Sequence, residues 1–517
     1  MLHTESRPSK YLDYIHPQEL VMQNRFRYAG IEQANVPTFA EARPLLPEPY
    51  WDGHEDAINC YWKVWELAFA NIKKTSPDNG FIAHYIHSAF NENLFAWDSV
   101  FIQFFARYGG RAFDFHRTLD NFYHRQHRDG FICRELLPIP GGEMFHRHDP
   151  GSTGPNVLAW CEWEHFLNCG DHERLAQVFP VNLAYHRWLR RHRTWQNGSY
   201  WHCGLSSGMD NQDRIGCGRD DTEVRVSHGH LSWVDANAQA LLSACCLVDM
   251  ARELGRLDEV DEEQQEIKAL HSWINAAAWD EAIGFYFDVD RNGRTTGFKS
   301  IAAFWTLLAG AVPAERRGRL LAWLNDPATF NLFHRVPSLA GDARGYDATG
   351  GYWRGGVFPP TTYMVLRGLT AAGYDGLAYD IACNHHHNVV EVFKQTGTVW
   401  EYYAPAGTAP GERPDRPAIK DLVGWSGLGP VAVLLEYCFG LRPYVIENRL
   451  VWDVRETGAF GVERYPFGRK GLIDLRCAAR RQSNQKPDVE IKSTCHLILE
   501  LRWPGGSETR EIAPTEQ

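Results

Sequence analysis

The chain of 517 residues is long enough to bury a large core and exceeds the length of a typical single domain. Its formal net charge of −11 argues against the basic face that a nucleic-acid or anionic-membrane partner would require, so we expect neither partner. Hydrophobic residues make up 44% of the chain and aromatic residues 13%, which predicts a globular body rich in aromatic side chains.

The cysteine pattern and the N-terminus indicate the compartment. The 12 cysteines are scattered, include the adjacent pair Cys245-Cys246, and form no CxxC motif, which is typical of reduced, buried thiols. Residues 1–10 are polar, and no uncharged apolar stretch approaches the ~18 residues of a membrane span. We therefore expect a cytoplasmic protein. His385-His386-His387 lacks partners at ligand spacing, which favours packing over metal binding, and no cofactor is predicted.

Apolar residues recur at steps of three and four from about residue 54 to residue 440, which is typical of helices with one buried face. The first such helix contains Ile58, Trp62, Trp65 and Phe69. Eleven further segments follow at 97–108, 112–127, 155–168, 174–192, 231–254, 258–277, 299–309, 314–325, 360–372, 377–394 and 424–438.

Twelve helices of similar length predict six αα-hairpins closed into an (α/α)6 toroid. An open helical solenoid would also use paired helices, but solenoids show a repeat of fixed period, and we find none in this sequence. Three segments between the helices are long and rich in Gly, Pro, His and aromatic residues, as functional loops on a rigid scaffold usually are. These loops are residues 129–154, 194–230 and 395–422.

The last part of the chain changes to a period of two. Leu497, Leu499 and Leu501 occupy alternate positions, which predicts a strand with one buried face. We therefore predict three parts. They are a surface-wrapping segment at 1–50, a helical catalytic domain at 51–443, and a small β domain at 444–517.

Three short strings place a carboxylate among aromatic residues, Gly and Ser at predicted bends, and they are centred on Asp98, Asp210 and Glu401. Aromatic rings stack on the apolar faces of a pyranose, and carboxylates hydrogen-bond its hydroxyls or move protons, so this composition favours a carbohydrate site. Each carboxylate alone also has a structural explanation. Asp98 could cap a helix, Asp210 could form an Asx-turn, and Glu401 could pair on the surface.

Together the strings resemble the clan of inverting α-glycosidases that contains the trehalases and glycoside hydrolase family 63, including mannosylglycerate and glucosylglycerate hydrolase-like enzymes. Trp97-Asp98-Ser99 resembles the clan's sugar-binding segment, and Ser207-Gly208-Met209-Asp210 resembles the element that holds its general acid. Glu401-Tyr402-Tyr403 resembles the element that holds its general base. Three further strings, in the order of the clan, lie at 129–132, 352–360 and 423–426.

The resemblance implies an inverting α-glycosidase that hydrolyses a small α-linked glucoside or mannoside, with a disaccharide, oligosaccharide or glycosylglycerate as substrate. Asp210 would be its general acid and Glu401 its general base. Arg134 could bind a hydroxyl or an acidic aglycone, or form a surface ion pair with Asp129 or Glu135. The other residues implied to line the sugar subsite are Trp97, Asp98, Trp353, Arg354 and Trp425.

The sequence departs from the trehalases in ways that argue against trehalose as the substrate. Residues 91–94 replace their arginine-bearing segment, and Met209 replaces the Trp beside their general acid. A sugar phosphorylase or epimerase on a helical toroid is a second interpretation, although the charge of Glu401 would repel phosphate. A non-catalytic carbohydrate-binding protein is a third, although both candidate carboxylates are present. No oligomeric state is predicted.

Overall fold

All twelve segments in which apolar residues recur with a helical period contain helix, but the helices are not of similar length as predicted, since they range from 4 to 22 residues. The structure is a computed structural model that describes residues 17–89, 91–218, 221–413, 416–421 and 424–515. The helices in these segments are Glu55–Ala70, Ala96–Ala106, Asp120–His124, Leu158–Cys169, His172–His192, Val234–Glu253, Asp261–Trp273, Trp305–Leu308, Ala314–Asn325, Pro359–Ala371, Asp375–Thr396 and the π-helix Leu428–Cys438.

Shorter helical turns connect the longer helices. Short α-helices lie at Phe39–Ala42, Gly204–Ser207 and Asp221–Val226, and a π-turn at Ile274–Ala278 extends the helix before it. The 3₁₀ turns are Glu19–Gln23, Arg25–Tyr28, Arg43–Leu45, Arg107–Gly109, Phe115–Leu119, Leu257–Glu259, Ile301–Phe304, Tyr352–Arg354, Trp425–Gly427 and Val445–Glu447.

Six of the helices contact one another in a closed succession. Each helix contacts the next one, and the last contacts the first, in the order Ala96–Ala106, Leu158–Cys169, Val234–Glu253, Trp305–Leu308, Pro359–Ala371 and Leu428–Cys438. Helices that are apolar all round must be buried on every side, and every residue of the last helix is buried.

Other long helices pack against this group from outside. His172–His192 contacts Leu158–Cys169, and Asp261–Trp273 contacts Val234–Glu253. Asp261–Trp273 buries only Glu263 and Leu270 among its own residues, which is the burial expected of a helix with one face in solvent.

Two four-stranded sheets are built mainly from the C-terminal part of the chain. The first is antiparallel, in the order Glu48–Trp51, Phe460–Phe467, Gly471–Cys477 and Val489–Ser493. The second has the order Leu441–Tyr444, Arg449–Asp453, Leu497–Trp503 and Gly506–Ile512, with one parallel pair in its centre. Leu497, Leu499 and Leu501 are buried, as their alternation predicts.

Four two-stranded ladders stiffen the loops between helices. Their pairs are Ile72–Lys73 with Tyr85–Ile86, Leu94–Phe95 with Glu135–Leu136, Trp279–Asp280 with Phe285–Tyr286, and Glu412–Arg413 with Arg416–Pro417.

Two strands extend across the predicted boundaries at residues 50 and 443. The first C-terminal sheet includes Glu48–Trp51, and the second begins with Leu441–Tyr444. The division into three parts stays a prediction.

Two residues of the histidine run lie inside the helical body. His385 and His386 are buried in the helix Asp375–Thr396, and His334 Nε2 lies 2.9 Å from His385 Nδ1. Among the described residues, no group of three or more His, Cys, Asp or Glu side chains is arranged to hold a metal ion. No disulfide links cysteines in this part of the chain, and none of its helices is long and apolar enough to cross a membrane.

Candidate active site

A cavity of about 200 Å³ brings the three candidate carboxylates together. Asp98, Asp210 and Glu401 all line it. The three long loops predicted from the sequence each contribute to its wall. Its other lining residues are Phe95, Trp97, Arg134, Gly154, Pro155, Leu205, Gly208, Arg225, Tyr352, Arg413, Ile419 and Trp425.

Asp98 lies in the first turn of the helix Ala96–Ala106, where a negative charge interacts favourably with the helix dipole. Its carboxyl is 6% exposed, and Ser88 Oγ donates a hydrogen bond of 2.8 Å to its Oδ1. Burial raises the pKa of Asp98 to about 7, and the charge of Asp210 adds to this effect. The Ser88 hydrogen bond and the charge of Arg134 act in the opposite direction.

The turn that carries Asp210 follows the short helix Gly204–Ser207. Gly208 ends this helix in the left-handed conformation, with φ of +76°, which glycine adopts without steric cost. A Cβ on Gly208 would lie 3.1 Å from the Trp97 indole, so the glycine also lets the turn approach that ring. The turn therefore places Asp210 beside the start of the Asp98 helix.

Glu401 is fixed by backbone contacts from two neighbouring segments. Its backbone N–H donates to the Ile419 carbonyl at 3.0 Å, and the Ile419 N–H donates to its Oε2 at 3.3 Å. The Trp425 indole N–H donates to the Glu401 carbonyl at 2.9 Å. The side chain is 7% exposed, so a buried carboxylate faces the cavity from the loop 395–422.

Aromatic rings form the walls around these carboxylates. Trp97, Trp425 and Tyr352 all line the cavity. Burial raises the pKa of the Tyr352 phenol far above its ordinary range, and the charges of Asp210 and Glu401 add to the rise. Tyr352 is therefore a neutral phenol close to both carboxylates.

Arg134 lines the cavity from the loop 129–154. Its Nη1 donates to the Leu205 carbonyl, and its guanidinium lies over the Phe145 ring, 5.6 Å from the centroid. The two carboxylates considered as surface partners have other contacts, since Asp129 pairs with Arg147 and Glu135 accepts a hydrogen bond from Asn93. The guanidinium thus ties the loop 129–154 to the segment before Asp210.

Trp353 and Arg354 lie next to the cavity rather than among the residues that line it. Trp353 is fully buried and stacks on Phe358, with ring centroids 3.5 Å apart. Arg354 Nε donates to the Asn211 carbonyl at 3.1 Å, and Arg354 lines a second, larger cavity. Trp353 therefore supports the wall from behind, and Arg354 lines the neighbouring cavity.

Sequence reasoning missed three polar residues that line the cavity. Tyr352 precedes the two residues singled out in its string, and a φ of +63° at this non-glycine position turns its ring to the cavity. Arg413 places its guanidinium 4.9 Å from the centroid of the Tyr352 ring. Arg225 is the third of these polar residues. The only signal for the two arginines was their position in the predicted functional loops.

Comparisons with known proteins identify what the chain resembles. A sequence model of the mannosylglycerate hydrolase MGH1-like glycoside hydrolase domain matches residues 91–415. A probable mannosyl-oligosaccharide glucosidase of Schizosaccharomyces pombe is 25% identical over 49% of this chain and 34% of its own length. A periplasmic trehalase of Pseudomonas aeruginosa is 27% identical over 43% of this chain and 39% of its own length. The chain thus matches about a third of these two relatives' lengths.

Solved structures share the fold at low sequence identity. A GH63 mannosylglycerate hydrolase from Thermus thermophilus, in complex with glucose, has a TM-score of 0.56 and 20% identity. The comparison covers 72% of this chain and 99% of that one. The neutral trehalase Nth1 from Saccharomyces cerevisiae has a TM-score of 0.55 and 15% identity, over 69% of this chain and 74% of that one.

The fold, the grouping of carboxylates and the comparisons point to the same chemistry. The family match at 91–415 contains Asp98, Asp210 and Glu401 and covers more than half of the 517 residues. The chain therefore belongs to the mannosylglycerate hydrolase MGH1-like glycoside hydrolases, and it is a glycoside hydrolase.

Proposed function

We propose that the protein is an inverting α-glycosidase that hydrolyses a small α-linked glucoside or mannoside. The observation that carries this proposal is that Asp98, Asp210 and Glu401 share one cavity with the rings of Trp97 and Trp425. Two carboxyl groups that flank a glycosidic bond are the machinery of this reaction, and the rings suit the apolar faces of a pyranose. The volume of about 200 Å³ suits a single sugar unit.

We further propose that the helices form an (α/α)6 toroid. The closed succession of contacts among six buried helices supports this architecture, as does the similarity to the yeast neutral trehalase. Loops at one end of such a ring converge on its axis, where the three long loops would meet. The cavity is lined from all three of them, which fits this arrangement.

Asp210 is assigned the role of general acid. In an inverting hydrolysis the acid protonates the departing glycosidic oxygen, so it must hold a proton while substrate is bound. The assignment draws on the turn at Gly208, which brings Asp210 to the cavity beside Asp98. Asp98, whose carboxyl titrates near neutrality, is assigned to hydrogen-bond the hydroxyls of the bound sugar.

Glu401 is assigned the role of general base. It removes a proton from the water that attacks the anomeric carbon on the face opposite to the leaving group. Inversion needs room for this water, so the carboxyls of Asp210 and Glu401 should lie about 6.5–9.5 Å apart with substrate bound. Hydrogen bonds from the Ile419 backbone and the Trp425 indole hold Glu401 in place, which supports a role that depends on position.

Asp210→Asn and Glu401→Gln should each lower kcat for an unactivated α-glycoside by about 10²–10⁴, because each change nearly preserves shape but removes proton transfer. With a glycosyl fluoride, whose leaving group needs little protonation, Asp210→Asn should lose much less activity. Glu401→Gln should stay impaired, because the water still needs its base. Initial rates for both substrates test the two roles, with Glu66→Gln on the surface as a matched control.

The stereochemistry and the second reactant test the reaction class. NMR of the first product should show the β-anomer released from an α-linked substrate, since inversion places the new hydroxyl on the opposite face. The rate should be independent of inorganic phosphate, which distinguishes hydrolysis from phosphorolysis. Early release of the α-anomer would mean retention, and Glu401 would then not be the base.

A further inference from the structure

A second cavity, of about 1200 Å³, lies beside the proposed catalytic cavity. It is lined by the segment that follows Asp210, by residues 294–299 and by the loop 342–347. None of the three candidate carboxylates is among its lining residues. Its lining therefore differs from that of the pocket that holds Asp98, Asp210 and Glu401, although Arg413 belongs to both.

The two cavities share a wall at three points of the chain. Asp210 lines the small cavity, and the next residue, Asn211, lines the large one. In the same way Gly351 lines the large cavity and Tyr352 the small one, while Arg413 lines both. Arg413 lines both cavities, so they adjoin at this residue, and Asn211 places the lining of the large cavity next to Asp210 in the chain.

Asn211 makes this shared wall rigid. Its Nδ2 donates to the Gly351 carbonyl at 3.1 Å, and its Oδ1 accepts from the Trp353 N–H at 3.0 Å. Its carbonyl accepts from Arg354 Nε at 3.1 Å. A side chain with its donor and acceptor both used is held in one orientation. The position of Asp210 relative to the large cavity is thereby fixed.

Given the proposed function, the position of the large cavity beside Asp210 indicates which part of the substrate it holds. A general acid stands beside the oxygen that leaves, because it must place a proton on that oxygen. If Asp210 is the acid, the sugar to be cleaved occupies the small cavity and the group attached through its glycosidic oxygen extends past Asp210. The large cavity then receives this aglycone.

The size of the cavity favours an aglycone larger than a three-carbon acid. Clefts of about 300–1,000 Å³ bury most of the surface of drug-sized ligands. A volume of about 1200 Å³ exceeds that range, and a three-carbon acid such as glycerate would leave most of it to water. The volume matches an occupant of several sugar units.

The charges of the lining favour a neutral polar occupant. Arg214 is neutralised by two buried carboxylates, Asp235 and Asp288, and Lys299 pairs with Asp342. Further cations of the lining are Arg294, Arg344, Arg354 and Arg413, and further anions are Asp213, Asp290 and Asp347. Both signs are interspersed, which gives many hydrogen-bonding groups without the single-sign field that attracts a polyanion.

Two aromatic rings complete the resemblance to a sugar-binding surface. Phe298 and Tyr346 line the cavity and are each partly exposed. Partly exposed rings among mixed polar groups suit pyranoses, which offer apolar faces and a rim of hydroxyls. We propose that the large cavity binds the leaving part of an oligosaccharide, with Phe298 and Tyr346 as stacking platforms, so that the natural substrate is an α-linked oligosaccharide rather than a glycosylglycerate.

The test compares substrates that share the cleaved sugar and differ in the aglycone. Glucose and mannose series would each contain the glycosyl fluoride, the glycosylglycerate and linear oligosaccharides up to a tetrasaccharide. For the wild-type enzyme, kcat/KM should rise about tenfold or more from the glycosylglycerate to the tetrasaccharide, because added units make added contacts. Equal values of kcat/KM for all chain lengths would overturn the inference.

Variants locate the effect in the cavity. Phe298→Ala and Tyr346→Ala should each lower kcat/KM for the tetrasaccharide about fivefold to tenfold, mainly through KM, and leave hydrolysis of the fluoride unchanged. Phe333→Ala, at a 57% exposed ring outside the cavity, is the matched control and should change neither. Losses of equal size for the fluoride and the tetrasaccharide would contradict the assignment.

The fluoride separates this inference from the function on which it rests. The wild-type enzyme could hydrolyse the fluoride with release of the β-anomer and yet show the same kcat/KM for every chain length. This result would support the proposed function and contradict only the inference of an oligosaccharide substrate. An enzyme that hydrolyses no member of either series, including the fluorides, would overturn the proposed function and this inference with it.

Discussion

At the scale of single residues, burial of the Asp98 carboxyl makes the free energy of unfolding depend on pH. The carboxyl is 6% exposed, and burial is the main cause that raises its pKa to about 7. The folded protein therefore holds this proton up to near neutrality, whereas the unfolded chain releases it near pH 4. The stability associated with the protonated form is fully present below about pH 4 and is lost as the pH rises through about 7.

Asp98→Asn should remove this dependence, because an amide does not ionise. The free energy of unfolding of the wild type should fall relative to that of the variant by on the order of 2–4 kcal/mol between about pH 4 and pH 8. Urea denaturation of both proteins across this range measures the difference. Asp78→Asn, at an exposed carboxyl, is the control and should show a difference that is constant with pH. A constant difference for Asp98→Asn too would mean that Asp98 ionises freely in the folded protein.

Short sequence strings locate the region of a site, but they do not determine which side chain of a string lines the cavity. The resemblance predicts Trp353 and Arg354 at the sugar subsite, whereas Tyr352 is the residue of 352–354 that lines the small cavity. The backbone passes through a φ of +63° at Tyr352, so three consecutive side chains point to a cavity, to the core and to a second cavity. Such a conformation is rare for a non-glycine residue and has no signature in the composition of the string.

At the scale of elements, the positions of the helices could be predicted because each depends on local periodicity. All twelve predicted segments contain helix, and the three long loops between them line the small cavity. Which residues of a loop reach the cavity depends instead on contacts between distant segments. Arg413 illustrates this, since its guanidinium lies over Tyr352, far from it in the chain.

The turn before Asp210 offers a test of how an element positions the site. Gly208→Ala places a Cβ at a φ of +76° and 3.1 Å from the Trp97 indole, so it strains the turn and pushes on the ring. Gly198→Ala is a matched control in the same loop, with a φ of +82° and open space around the Cβ. Both should lose about 1 kcal/mol of stability from the left-handed backbone conformation.

Only Gly208→Ala should also lose activity, by about tenfold or more, because a displacement of Asp210 or Trp97 disturbs the alignment of the reacting groups. Urea denaturation and kcat/KM for an α-glycoside measure the two effects separately. An equal loss of activity in both variants would show that the backbone conformation, and not the approach to Trp97, controls the site.

At the scale of the whole molecule, the sheets and the helices share contacts that a division by sequence does not anticipate. The strand Glu48–Trp51 pairs with Phe460–Phe467, and the Trp51 ring meets Phe439 edge-on at 5.7 Å. Strand pairing between the two ends of the chain is non-local, so periodicity along the sequence carries no signal for it. The helical segments and both sheets should therefore unfold together.

Trp452 tests this expectation, because it joins the second sheet to the helices. Its indole is fully buried, donates to the Phe439 carbonyl at 2.9 Å and lies edge-on to Phe460. Trp452→Ala should cost about 3–5 kcal/mol, while Trp503→Ala, at a partly buried ring of the same sheet, should cost less. Circular dichroism should follow the helices and tryptophan fluorescence the aromatic core, and both should report one lowered transition. A helical signal that keeps the wild-type midpoint in Trp452→Ala would show that the sheets unfold independently of the helices.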